Sequence, residues 1–290
     1  SADGKLYRFV GWNKDVVAVV GNAEYTAVFE EYTPSLEGVK VSILGDSIST
    51  FYKEGSPMNS YYSGTNQFYY PLYSSTIKTV DLTWWYKLIV NNNMTLGINN
   101  SWSGSCAHGS SSSAGENSGR INTIDDNGTP DIVIIYLGTN DLGTGYTTEE
   151  FGQSIETMIN KIKALGVEDI FLMTLGYTAY TGNKYSEATR LEYNEKLRSL
   201  ATKHSCGVIP LDEYIVNDNY MIYLGDNLHY NAKGAKLLSK IYEKAIKDFN
   251  NIEFNENKFF IHALNNQDVE FCDEKGENNP SFPIGNSLVK

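Results

Sequence analysis

Between Val39 and Phe249 the chain alternates short β-branched runs with longer stretches of helical period. That alternation marks a parallel sheet whose strands are joined by helical crossovers, and it leaves few other architectures open. The strand runs are VKVSILG (39–45), MTLGINN (94–100), DIVIIYLG (131–138), DIFLMTL (169–175) and CGVIPL (206–211). Each is nearly continuous in apolar residues, as strands covered on both faces are. Five of them make a small doubly wound α/β sheet.

The intervening segments carry their own start signals. Phe151, Ile155, Met158, Ile159, Ile162 and Leu165 recur at three- and four-residue steps behind Thr147 and Thr148, with Glu149 and Glu150 placed to suit the helix dipole. Ser186 precedes Leu191, Leu197 and Leu200 in the same way, and Asn231 precedes Ala235, Leu238, Ile241, Ala245 and Phe249. A further helix holds Trp84, Trp85, Leu88 and Ile89; tryptophans at that spacing before a strand belong to a core rather than to a sugar platform.

Composition sets the class of partner. The 290 residues are 41% apolar and carry 23 basic against 35 acidic residues, a formal charge of −12 with no Lys/Arg cluster. Nucleic-acid backbones and anionic lipid surfaces are therefore poor partners, and a neutral or cationic substrate is easier to accommodate. No apolar stretch approaches the roughly 20 residues needed to span a bilayer, and the first residues lack a charged-then-apolar signal pattern. The expectation is either a cytosolic protein or an internal piece of a processed chain, with no membrane insertion. The three cysteines, Cys106, Cys206 and Cys272, lack metal-like spacing. Cys106 and His108 alone are too few ligands for a zinc site, so no metal is expected.

Two stretches break the alternation. Residues 52–80 are long, without period and rich in Tyr, Ser and Asn, and 109–119 is the polar loop GSSSSAGENSG. Loops of that length in a compact domain are either functional or solvated excursions.

In an open parallel sheet, ligand sites gather where the loops leave the carboxyl ends of the strands. Gly45-Asp46-Ser47 follows the first strand, Asn99 to Ser105 closes the second, and Gly138-Thr139-Asn140-Asp141 follows the third. Asp226-Asn227-Leu228-His229 stands between the fifth strand and the last helix. Singly, each has a plain reading as a turn, a helix cap or a helix entrance. Together they bring a hydroxyl, a base with a carboxylate three residues before it and several hydrogen-bond donors to one rim. His229 is preferred over His108 as the base because it alone has a carboxylate at a productive spacing; His204 and His262 are expected to be structural or solvated. Asp46 and Asp141 read as loop-ordering residues.

These blocks resemble those of the SGNH, or GDSL-type, hydrolases, whose markers Ser, Gly, Asn and His stand in this order, matched here by Ser47, Gly104, Asn140 and His229. Isoleucine follows Ser47 where the family name has leucine. The resemblance spans roughly residues 38–249 and implies a flavodoxin-like three-layer sandwich with helices on both faces of a five-stranded parallel sheet. It implies a serine esterase in which Ser47 is the nucleophile, His229 the base and Asp226 its orienting acid. The oxyanion donors it assigns are the backbone N–H groups of Ser47 and Gly104 and the side-chain amide of Asn140. No cofactor is required for such a reaction.

The substrate has to be argued from the loops. No amphipathic lid is visible, and Tyr52, Tyr61, Tyr62, Tyr69, Tyr70 and Tyr73 stand among Asn and Ser after Ser47. Aromatic faces with polar tips suit sugar rings better than acyl chains, so the expectation is removal of short acyl groups, acetyl first, from an oligo- or polysaccharide. A broad-specificity or lipid-directed esterase would use the same residues, and a non-catalytic glycan-binding module could keep the fold.

At the amino end, residues 7–32 alternate like two short strands around Gly21-Asn22. Phe9-x-Gly11-Trp12 and Tyr25-Thr26-Ala27-x-Phe29 resemble the closing half of the Listeria–Bacteroides, or internalin B-type, surface repeat. This implies an extracellular or cell-surface bacterial parent. The expected division is a partial repeat and linker at 1–37, the hydrolase domain at 38–250 and an extension of unassigned role at 251–290. The sequence carries no signal for oligomeric state.

Overall fold

A computed structural model describes residues 6–14, 24–32, 35–54, 56, 60, 68–179 and 185–252. The strands β3 (Lys40–Gly45), β4 (Thr95–Ser101), β5 (Ile132–Tyr136), β6 (Asp169–Met173) and β7 (Gly207–Ile209) form one sheet in the order β4-β3-β5-β6-β7, every pair parallel. This is the doubly wound α/β architecture expected from the alternation. Four of the five strands are shorter than the apolar runs that announce them, while β4 has the length of its run and starts one residue later. Leu137 and Leu175 lie beyond their strands yet are buried, because the apolar pattern follows burial and the loops leaving the sheet are themselves covered. In β7, Pro210 ends the ladder because it has no N–H to donate.

Among the described residues the helices are α1 (Trp84–Asn91), α2 (Ser118–Ile121), α3 (Thr139–Thr144), α4 (Thr148–Ala164), α5 (Glu187–His204), α6 (Leu211–Tyr214), α7 (Tyr220–Tyr223) and α8 (Ala232–Phe249). Parallel crossovers are right-handed, so α1, which steps from β3 out to β4, lies on the face opposite to α4 and α5, which step the other way. The packing agrees: α1 lies against α8, and α4 against α5. Trp84 and Trp85 are buried, and the Trp84 ring stacks on Tyr242 of α8 with centroids 4.1 Å apart. Phe151 of α4 stacks on Tyr193 of α5 at 4.0 Å on the other side. Burial of each such side chain contributes on the order of 1.5–3 kcal/mol, and together they fix the two layers to the sheet.

The caps were legible from their residue types. Thr147 makes a full capping box with Glu150, Ser186 accepts from the Thr189 N–H, and Asn231 accepts from the Gly234 N–H. Gly138 is the residue before α3, so the plain reading of Asn140 as a helix cap does not hold: it lies inside the first turn, with its amide left for other work.

Near the amino end, β1 (Leu6–Trp12) pairs antiparallel with β2 (Ala27–Tyr32) in a separate two-stranded sheet. The Gly21-Asn22 turn lies outside the described residues, as does most of 251–290. Among the described residues no helix is long and apolar enough to cross a membrane.

Candidate active site

Gly45, the last residue of β3, is in register with Ser101 at the end of β4 and with Tyr136 at the end of β5. Three neighbouring strands therefore stop at one level, and their loops leave side by side. Because β3 connects outward to β4 while β5 connects the other way, this is the switch point of the sheet, where an open α/β fold leaves a crevice.

Ser47 opens a single 3-10 turn (Ser47–Ser49), with Asp46 capping it through an Oδ1 that accepts from the Ile48 N–H at 2.9 Å. Its hydroxyl lies 2.8 Å from His229 Nε2, although 182 residues separate the two. His229 Nδ1 in turn lies 3.0 Å from Asp226 Oδ2. Nδ1 carries the proton in the arrangement that leaves Nε2 free to accept from the serine hydroxyl.

His229 sits in a closed hairpin. Gly225 N–H donates to His229 O at 2.7 Å, Leu224 bridges Tyr230, and Asn231 N–H donates to Tyr223 O. Within it, Asp226 Oδ1 accepts from the Leu228 and His229 N–H groups, which leaves Oδ2 for the imidazole. Burial pushes this carboxyl up, but the ring and main-chain N–H groups of His229, the Tyr69 hydroxyl and the Leu228 N–H outweigh it and hold Asp226 well below the usual carboxylate range. An ionised Asp226 can stabilise a positive imidazole, and a neutral one could not.

On the other side of Ser47, Gly104 has φ +78, a left-handed conformation that favours glycine, and an added Cβ would meet nothing within 4 Å. Glycine is needed there by the backbone and not by space. Asn140 Nδ2 donates to Ser105 O at 3.0 Å, which anchors the amide beside the Gly104 turn. An amide nitrogen has a second hydrogen, so this anchoring leaves it a donor to aim.

Beneath these loops lies a residue that the sequence reading passed over. Arg120 is wholly buried; its Nη2 donates to Gly45 O at 2.6 Å and Asn100 O at 2.8 Å, its Nη1 to Ser105 Oγ at 3.1 Å and its Nε to Asn100 Oδ1 at 3.2 Å. One guanidinium thus holds together the ends of β3 and β4 and the loop that carries Gly104. A lone arginine in a polar stretch has no periodic signal by which to be found.

The two other rim aspartates order loops. Asp141 accepts from the Ala107 and His108 N–H groups at 2.8 and 2.9 Å, and burial pushes its carboxyl up to about 6. Asp46 is pushed up to about 7, first by burial and against the pull of the Ile48 N–H and the Arg120 charge.

His108 is turned to other work, with Nδ1 3.0 Å from Ser154 Oγ and 3.2 Å from Glu116 Oε1. Burial pushes the nearby Cys106 thiol up to about 12, so it offers no thiolate. His204 pairs with Glu156 at 2.6 Å, and His262 lies outside the described residues. Among the described residues no group of three or more His, Cys, Asp or Glu could hold a metal ion.

The tyrosines divide. Tyr61 and Tyr62 lie outside the described residues, and Tyr52 packs on Phe68 with ring centroids 5.0 Å apart. Tyr70, expected to face substrate, is 2% exposed, and its hydroxyl donates to Tyr230 O at 2.9 Å. It fastens the loop to the hairpin that carries His229 and has no face to offer. Tyr69, also expected to face substrate, lies flat on the His229 ring and donates its hydroxyl to Asp226 Oδ2 at 2.7 Å.

Residues 39–154 match a family model described as GDSL-like lipase/acylhydrolase. Ser47, Gly104 and Asn140 fall within the matched residues, while Asp226 and His229 lie beyond them and meet Ser47 through the fold. Solved structures share that fold. A lipase/acylhydrolase from Enterococcus faecalis is 20% identical, with 72% of this chain and 96% of that chain covered and a TM-score of 0.52. A psychrotrophic esterase from Pseudoalteromonas sp. is 19% identical, with 73% and 98% covered and a TM-score of 0.50. An acetyl xylan esterase is 17% identical, with 72% and 100% covered and a TM-score of 0.51. No curated protein matches the chain.

Proposed function

We propose that this GDSL-like domain hydrolyses carboxylic esters through an acyl-enzyme on Ser47, and that its substrates are short acyl groups, acetyl first, carried on carbohydrate. The observation that supports the chemistry is the unbroken chain from Ser47 Oγ through His229 to Asp226, 2.8 and 3.0 Å long at its two links.

In this reading Ser47 Oγ attacks the ester carbonyl while its proton passes to His229 Nε2, and Asp226 stabilises the imidazolium that forms. The carbonyl oxygen becomes an oxyanion facing the Ser47 and Gly104 N–H groups and the Asn140 amide; one such donor typically lowers the barrier by about 2.7–4 kcal/mol. Collapse breaks the ester C–O bond, and His229 returns the proton to the departing alcohol. Water then attacks the acyl-enzyme with His229 as base, which releases the acid and restores Ser47. Every proton is accounted for by these groups, so the reading calls for no cofactor.

For the substrate, the charge of −12 opposes anionic surfaces, and the acetyl xylan esterase among the structures of the same fold supports the acetyl reading. A lipid-directed reading rests on a different observation: Leu72 and Tyr73 are 59% and 61% exposed, and the Tyr73 ring contacts Tyr69 beside the base. Apolar surface there could take an acyl chain.

The test is hydrolysis of p-nitrophenyl esters from acetate to octanoate, with acetate release from several acetylated polysaccharides. Ser47→Ala is expected to abolish all of it, and acetate to be the preferred ester. Full activity in Ser47→Ala would remove the hydrolase reading, and an optimum at octanoate would hand the substrate to the lipid-directed one. The same reading has the protein outside the bacterial cell, supported by the surface-repeat likeness of its first residues; fractionation that finds it with the cytosol would count against it.

A further inference from the structure

Tyr69 makes three contacts that together close a ring around the site. Its backbone N–H donates to Thr50 Oγ1 at 2.8 Å, and Thr50 Oγ1 donates to Ser47 O at 2.8 Å, so the residue is keyed to the turn that carries Ser47. Its ring lies on the His229 imidazole with centroids 3.5 Å apart and planes 9° from parallel. Its hydroxyl donates at 2.7 Å to Asp226 Oδ2, the oxygen that His229 Nδ1 also approaches.

The next residue repeats the attachment, since the Tyr70 hydroxyl holds Tyr230 O, one residue beyond the base. Tyr69 and Tyr70 therefore tie the serine turn to the base hairpin, with the Tyr69 ring against the one side chain that must change charge during the reaction.

We propose that Tyr69 is a positioning residue of the esterase: its ring sets the plane of the His229 imidazole and favours the imidazolium, and its hydroxyl holds Asp226 Oδ2 in line with Nδ1. This rests on the reading of Ser47, His229 and Asp226 as nucleophile, base and orienter. An aromatic face attracts a cation, so the stack is stronger with the imidazolium than with neutral imidazole, and the gain falls on the transition state and not on bound substrate. Burial, then the bond to Asp226 and its charge, push the Tyr69 phenol well above its ordinary value, so it remains a donor while the base cycles. A tyrosine serving as a sugar wall would instead leave its face open to the cleft.

The experiment compares Tyr69→Phe, Tyr69→Leu, Ser47→Ala and the unaltered protein on p-nitrophenyl acetate and on an acetylated oligosaccharide, with thermal unfolding of each. General-base catalysis is worth about 10²–10⁴-fold, and a base held less well loses part of it. Tyr69→Phe, which keeps the face, is expected to lose a few-fold in kcat, and Tyr69→Leu on the order of 10–100-fold. In both, kcat/KM falls with kcat and KM stays within about twofold on either substrate, the pattern of an interaction made in the transition state.

A wild-type kcat in either variant overturns the proposal, as does a loss confined to KM on the oligosaccharide. Should Tyr69→Leu not fold, Tyr69→Phe decides alone by the same readout. Failure of the underlying reading looks different, because Ser47→Ala would then keep its activity.

Discussion

The 2.8 Å contact between Ser47 Oγ and His229 Nε2 matters because a serine hydroxyl is a weak nucleophile until a base can take its proton. Two histidines stand near this rim, and their partners separate them. His229 Nδ1 faces a carboxylate held ionised by four hydrogen bonds, whereas His108 Nδ1 is engaged by Ser154 and Glu116 on the α4 side. His229→Ala is accordingly expected to lower kcat on p-nitrophenyl acetate by about 10⁴-fold or more, the scale on which members of such a triad act. His108→Ala is expected to retain most of the activity. Steady-state kinetics on the purified variants decide the matter, and the opposite ranking would move the base to His108.

At the scale of elements, the site is two pieces joined through Tyr69 and Tyr70. The serine turn is a direct continuation of β3, while the base hairpin hangs between α7 and α8. The junction is tight at Gly234, in the first turn of α8, where an added Cβ would lie 2.3 Å from Tyr223 O and 2.7 Å from the Tyr230 ring. Alanine is ordinarily the better helix former by about 1 kcal/mol, but here the methyl would strike main chain that cannot swing aside. Gly234→Ala is expected to cost roughly 1–3 kcal/mol of stability. It should also lower kcat, because whatever gives way carries Tyr230 and its neighbour His229. Urea unfolding and ester hydrolysis measured together test this, and a variant as stable and active as the parent would show that the hairpin yields freely.

For the whole molecule, the buried rim carboxyls give stability a pH dependence with a definite sign. Burial raises Asp46 from 3.8 to about 7 and Asp141 from 3.8 to about 6. Between those values the folded protein holds a proton that the unfolded chain releases. Their contribution is therefore complete below about pH 4 and is lost as pH rises through 6 to 7. Asp226 opposes this slope only at its low-pH end, since its lowered carboxyl is ionised in both states above about pH 5. Asp46→Asn keeps an oxygen to accept from the Ile48 N–H and removes the titration. Its urea midpoint is expected to fall less between pH 4 and 7.5 than that of the unaltered protein, the difference amounting to a few kcal/mol at most. Parallel profiles for the two proteins would rule out Asp46 as a source of the slope.

What the sequence determined by itself was local. Apolar runs at strand length, periodic stripes behind Thr147, Ser186 and Asn231, and the marker blocks at Ser47, Gly104, Asn140 and His229 were all legible, because strand pattern, helix period and capping depend on residues a few positions apart. The α/β class followed from their alternation, since strands apolar on both sides need helices on both faces. Tertiary structure alone decided which residues meet. The level ends of β3, β4 and β5 come from register, and the Arg120 brace depends on backbone carbonyls 20 and 75 residues away. The Tyr69 hydroxyl meets a carboxylate 157 residues further along the chain. A tyrosine in a polar loop reads the same whether its face will cover a sugar, a core or a histidine. Only the path of the loop, from the Thr50 hydroxyl to the Tyr230 carbonyl, laid Tyr69 on the base and buried Tyr70 beneath it.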